Sequence, residues 1–126
     1  MRWTVRVWAT LAALSGLIAV AAGAFAAHGV TDPTARELLR TGSTYEFMHA
    51  LAGLACAGLA ATAAPRARFA PAWFLAGTLL FSGSLYALAF GAPRVVGIVT
   101  PFGGLVFMAG WAVLAWAAAT SPQAVK

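Results

Sequence analysis

His28, Tyr45, Glu46 and His49 are the residues of this chain whose types and spacing suit chemistry. Glu46 and His49 stand three positions apart, the spacing that puts a carboxylate and an imidazole on one helical face in di-iron bundles. His28 would supply a third ligand, and three nitrogen or oxygen ligands suit zinc, or iron in a facial triad. A di-iron site needs a second such motif, and the chain has none. His28 and His49 could instead be the axial ligands of a haem held between helices. The simplest expectation is that each imidazole hydrogen-bonds across a helical hairpin, to Tyr45, Glu46 or a backbone carbonyl. On that reading the four form a polar cluster near one membrane surface, and neither a metal nor another cofactor is expected.

A second candidate is a helix break. Thr100, Pro101, Gly103 and Gly104 interrupt the last apolar stretch. Either Thr100 caps a helix whose first residue is Pro101, or a continuous helix kinks there. Broken helices in membranes can mark ion sites. Ser15, Thr78, Ser82 and Ser84 either line a polar seam or hydrogen-bond back to the preceding helical turn. No serine has a recognisable base and orienting partner, and no Gly-rich loop is placed to cradle phosphate. An enzyme is not expected.

The elements that must position these residues are four near-continuous apolar stretches, at about 5–27, 45–64, 69–90 and 95–119. Each is long enough for a hydrocarbon core about 30 Å thick, at about 1.5 Å of helix per residue. Hydrophobic residues make up 62% of the 126, and charged residues 9%. The expected fold is all-α: a single integral membrane four-helix bundle filling residues 1–126. After four spans little remains for a soluble catalytic or nucleotide-binding domain. The net charge of +5 comes without a basic, aromatic-interleaved stripe, so nucleic acid is not an expected partner. Flanking charges that orient spans and meet anionic lipid explain it better. Cys56 has no second cysteine to pair with and reads as a packing residue.

The connection at 30–44 reads as a short interfacial helix between spans one and two. Asp32 and Pro33 supply its N-cap and first residue, Asp32 and Arg36 an ion pair, and Gly42 its end. Ser43 to Glu46 then forms a capping box that opens the second span. Small residues recur seven apart at Gly16 and Gly23, at Gly77, Ser84 and Gly91, and at Gly103 and Gly110. Two turns return such positions to one face, where backbones can approach closely. The first apolar run imitates a signal peptide but is long for one, and an uncleaved helix is expected. With alternating spans, Arg2, Arg6, Arg66, Arg68 and Lys126 share one side, against Arg36, Arg40 and Arg94 on the other. That bias places both termini in the cytoplasm. Trp3, Trp8, Trp73 and Trp116 fall toward the termini side, a depth that suits amphipathic rings.

Several segments together carry a family resemblance. Gly23-Ala24-Phe25-Ala26-Ala27-His28-Gly29 is similar to a GAFGAHG segment. Thr41-Gly42 with Tyr45-Glu46-Phe47-Met48-His49-Ala50-Leu51 is similar to TG..YQ..HALA. Phe81 to Ala89, and Thr100 to Gly104 with Gly110-Trp111, are similar to FSGSLY.LA and TP.GG.....GW. These motifs, in this order, resemble the small inner-membrane family typified by bacterial YgdD, which has mitochondrial transmembrane relatives. The resemblance implies four helices in a bacterial inner membrane and a domain of unknown function, with no activity attached. The chain departs at Ala26, where the family has Gly, and at Glu46, where it usually has Gln. The leading expectation is a non-enzymatic membrane protein acting through helix packing, in contact with lipid and with copies of itself or a larger membrane complex. The alternatives are transport of a small solute, proton or ion, and a metal- or haem-binding redox protein built on His28, Glu46 and His49.

Overall fold

The computed structural model describes residues 2–122, with side chains from Thr4 onward. Readings that rest on the side chains of Arg2 and Trp3, or on Lys126, lie outside the described residues. Those residues form four α-helices: α1 (Arg2–His28), α2 (Pro33–Thr62), α3 (Pro71–Ala89) and α4 (Val99–Thr120). Two 3-10 turns, Pro65–Phe69 and Arg94–Ile98, lead into α3 and α4. Among the described residues there is no strand.

Local chemistry sets most of the boundaries. Asp32 is the N-cap of α2: its Oδ2 accepts the Ala35 amide at 2.8 Å, and Pro33 follows at N1. At the end of α3, Gly91 adopts φ +96°, and the Ala92 amide reaches back to the Ala87 carbonyl at 2.9 Å. That is a Schellman stop, in which glycine takes the left-handed position without steric penalty. Gly91 therefore belongs to this turn and not to a helix seam. The boundary at Val99 resolves the suspected break: Thr100 and Pro101 lie in the first turn of α4, where a missing amide costs no helical bond. The helix runs from there to Thr120 without interruption.

One expectation fails. There is no separate interfacial helix, because residues 33–44 are the first turns of α2 and run straight into the apolar part. Gly42 does not end a helix; it lets the Tyr86 ring of α3 lie against the backbone, and a Cβ there would stand 2.6 Å from Tyr86 Cε1. Ser43 and Thr44 do not cap either. Both hydroxyls donate to the Arg40 carbonyl, at 3.1 and 2.9 Å. Arg36 turns its guanidinium to the Val30 carbonyl, at 2.7 Å, instead of pairing with Asp32.

Helix α2 is the centre of the assembly. α1 packs on it, α3 packs on it, α4 packs on α3, and α1 and α3 scarcely touch. The α1–α2 seam is made of small residues, with Gly16 facing Ala50, Gly23 facing Ser43 and Ala12 facing Gly53. The α3–α4 seam instead alternates large with small. Phe74 lies in the notch of Gly110, Phe107 in that of Gly77, and Gly103 lies against the backbone of Phe81. The next layer pairs Ser84 with Thr100 through a 2.6 Å hydrogen bond. Steps of three and four along α3 are matched by the same steps back along α4, so each ring fills the space left by a missing side chain.

Three stretches, Thr4–His28, Pro65–Ala89 and Arg94–Thr120, are long and apolar enough to cross a membrane. α2 is not among them: it is the least apolar of the four helices, with Arg36, Glu37 and Arg40 in its first turns and Glu46 and His49 further along. Leu17 on α1, Leu79 on α3 and Met108 on α4 are each about two-thirds exposed. An apolar surface of this extent suits lipid and not water. At one end of the bundle, Val5 packs on buried Ala60, Ala64, Ala67 and Ala117. There Arg66 Nη1 donates to the Thr120 carbonyl at 2.6 Å and its guanidinium lies over Trp116, closing the C-terminus of α4.

Candidate functional site

The continuity of α2 decides where the polar residues sit. With the helix starting at Pro33, Glu46 and His49 lie more than three turns along it, not at its mouth. Glu46 meets Ser15, which stands midway along α1. Glu46 and His49 are therefore deep in the bundle and not at one surface.

Glu46 is 4% exposed and is held from two sides. Ser15 Oγ donates to its Oε1 at 3.0 Å, and the Tyr86 hydroxyl donates to its Oε2 at 2.6 Å. One side chain of α2 thus joins α1 and α3. The capping role expected for Glu46 does not arise, because no helix begins there.

His49, one turn further along, reaches α4. Its Nδ1 lies 2.6 Å from the Tyr45 carbonyl, and its Nε2 accepts the indole N–H of Trp111 at 3.1 Å. The ring stacks on Phe107 with centroids 3.5 Å apart and planes 9° apart, and Phe74 closes a further side. Both nitrogens are engaged, so neither is directed at a ligand.

Tyr45 and His28 do not complete a ligand set. Tyr45 is 39% exposed and packs its ring on Phe81. His28 ends α1 and is exposed, roughly 20 Å along the helix from Ser15 at about 1.5 Å per residue. Among the described residues, no three His, Cys, Asp or Glu side chains are grouped to hold a metal. The trio His28, Glu46 and His49 is not assembled within one chain, nor are His28 and His49 placed as a pair of axial ligands.

Ser15 and Ser82 follow the seam reading, and Ser84 satisfies both readings, since its Oγ also donates back to the Phe81 carbonyl at 2.9 Å. Ser15 reaches Glu46, Ser82 Oγ donates to the Gly42 carbonyl at 2.7 Å across α3 and α2, and Ser84 reaches Thr100. Thr100 and Pro101 contribute a layer of packing and a helix start and Gly103 a close approach to Phe81, while a Cβ built on Gly104 would come no nearer than 4.0 Å to the Phe81 ring. The residues that sequence reasoning missed are Tyr86 and Trp111. Nothing in their spacing announces that they hydrogen-bond to Glu46 and His49.

A family model described as "Protein of unknown function (DUF423)" matches residues 22–104. A "UPF0382 membrane protein" of Haemophilus influenzae is 47% identical over 110 residues, covering 85% of this chain and 89% of the relative. The "UPF0382 inner membrane protein YgdD" of Escherichia coli K12 is 45% identical over 118 residues, covering 88% of each. A "UPF0382 membrane protein" of Staphylococcus epidermidis is 36% identical over 112 residues, covering 86% of this chain and 92% of the relative. No solved structure matches. The buried Glu46 and His49 thus lie inside the matched region, and the chain belongs to the DUF423 family of membrane proteins.

Proposed function

We propose that this chain is a four-crossing protein of the bacterial inner membrane that works by helix packing, without catalysis, as part of a homo-oligomer or larger membrane complex. The observation that carries this reading is how the buried polar groups are used. Glu46 and Ser82 spend their side-chain hydrogen bonds on other helices of the same bundle, and His49 and Ser84 each divide theirs between their own helix and a neighbouring one. Crossing by α2 fits the same pattern. Beyond its first turns, Glu46 and His49 are turned inward, while Phe47, Met48, Leu51 and Leu54 are exposed. The Escherichia coli relative's name supports the inner membrane. With alternating crossings, the sequence carries five Lys/Arg on the side of the termini against three on the other, which supports cytoplasmic termini. Extraction in mild detergent followed by native mass measurement is expected to give a reproducible oligomer or partner. A monomer without partners in several detergents overturns the proposal.

Proton or small-ion transport is the second reading, and one observation favours it: a carboxyl at mid-bundle depth. Ionisable residues at such depth are costly and commonly lie on ion or proton paths. Flux measured in proteoliposomes is expected to fall with Glu46→Gln. Flux that is absent, or unchanged in this variant, removes the reading.

A further inference from the structure

Because α1 and α3 both rest on α2 and scarcely touch each other, a cleft remains between them. It holds a cavity of about 20 Å³ lined by Trp8, Ser15, Gly53, Phe74 and Thr78, among others. A single water needs roughly 10–15 Å³ of such space, and cavities that stay dry are apolar. The lining here is mostly apolar, but two hydroxyl-bearing residues interrupt it. Ser15 and Thr78 are 8% and 7% exposed, and both present hydroxyl-bearing side chains to it.

Thr78 behaves unlike other threonines of the bundle. Thr10, Thr44, Thr62 and Thr120 each donate to the carbonyl four residues back. Thr78 makes no hydrogen bond among the described residues, yet no buried polar atom there is both sealed off and unpartnered. Thr78 lines the cavity, which is space into which its hydroxyl can turn. Ser15 gives its proton to Glu46, which leaves its oxygen free to accept. His49 also lines the cavity, but both of its nitrogens are already engaged.

We propose that this cavity binds one water molecule, which accepts from Thr78 Oγ1 and donates to Ser15 Oγ. The water bridges α1 and α3, the neighbouring helices that scarcely touch. It also extends the Tyr86–Glu46–Ser15 chain of hydrogen bonds to a fourth side chain. The assignment is independent of the proposed function.

A structure of the full chain in lipid, at a resolution that shows ordered water, is expected to place one water within hydrogen-bond distance of both hydroxyls. A dry cavity overturns the proposal, as does a Thr78 hydroxyl turned back to the Phe74 carbonyl. Thr78→Val keeps the shape and removes the hydroxyl, so the water is expected to be lost, and Thr78→Ser to retain it. A water that persists on Ser15 alone in the valine variant overturns the bridge. If Thr78→Val does not fold, the unsubstituted chain and the serine variant decide the matter.

Discussion

The indole N–H of Trp111 donates to His49 Nε2 across 3.1 Å, and that single bond fixes how the imidazole carries its proton. A nitrogen that accepts has no hydrogen of its own, so the proton resides on Nδ1 and is donated to the Tyr45 carbonyl, 2.6 Å away. The ring is neutral, engaged at both nitrogens, and stacked on Phe107. A side chain whose spacing suggested a metal ligand instead ties α2 to α4, two helices that meet largely through aromatic rings.

Replacing Trp111 with Phe removes the donor and keeps an aromatic ring. His49 Nε2 is then left without a partner inside the bundle, which costs about 1–3 kcal/mol. The expected result is a lower thermal midpoint in detergent. Nitrogen NMR of labelled histidine is expected to show the Nδ1–H tautomer for His49 in the unsubstituted chain. An Nε2–H tautomer would refute the arrangement.

Glu46 invites the opposite comparison, between a conservative and a truncating change. In Glu46→Gln the amide oxygen still accepts from one hydroxyl and the amide nitrogen donates to the other, so stability is expected to change little. Glu46→Ala strands the Ser15 and Tyr86 hydroxyls together. Interhelical hydrogen bonds in membranes contribute about 0.6 kcal/mol each and at most about 1.7 kcal/mol, so the alanine variant is expected to lose roughly 1–3 kcal/mol. Unfolding titrations in mixed micelles measure both. A glutamine variant as unstable as alanine would mean that the carboxyl is specifically required.

Much of the bundle was legible because lipid leaves few choices. Long apolar runs must form helices, and proline and glycine mark their ends, as Pro33, Pro71 and Gly91 do here. What was not legible was the depth of the polar site. Gly42 followed by Ser43 and Thr44 has the local chemistry of a helix end and a new cap. Yet Gly42 is small because Tyr86 packs on it, and that contact comes from a residue far along the chain. Local signals cannot distinguish a glycine that stops a helix from one that seats a ring. The error carried Glu46 and His49 from mid-bundle to the surface, and His28 into their company.

Amide exchange tests that continuity directly. Amides 43–46 lie inside α2, so they are expected to exchange as slowly as those of the neighbouring helical turns. Four amides that exchange fast, flanked by slow ones, would restore a helix end at Gly42.

The glycine seam yields the sharpest contrast, because two glycines with similar sequence spacing meet different obstacles. A methyl group on Gly77 would run into the ring of Phe107, whereas one on Gly103 would run into the backbone of Phe81. A side chain can be trimmed and a backbone cannot. Gly77→Ala is therefore expected to destabilise the bundle and to be rescued by Phe107→Leu. Gly103→Ala is expected to be at least as damaging, with no rescue from Phe81→Leu, since the clash begins at the Phe81 nitrogen and Cα. Gly58 is the control: nothing lies within 4 Å of its built Cβ, and alanine there is expected to stabilise the helix by up to about 1 kcal/mol. Thermal midpoints of these variants in one detergent decide the issue. Equal rescue at both positions would mean that α3 and α4 slide past each other, and that the layers from Phe74/Gly110 to Ser84/Thr100 are not a fixed register.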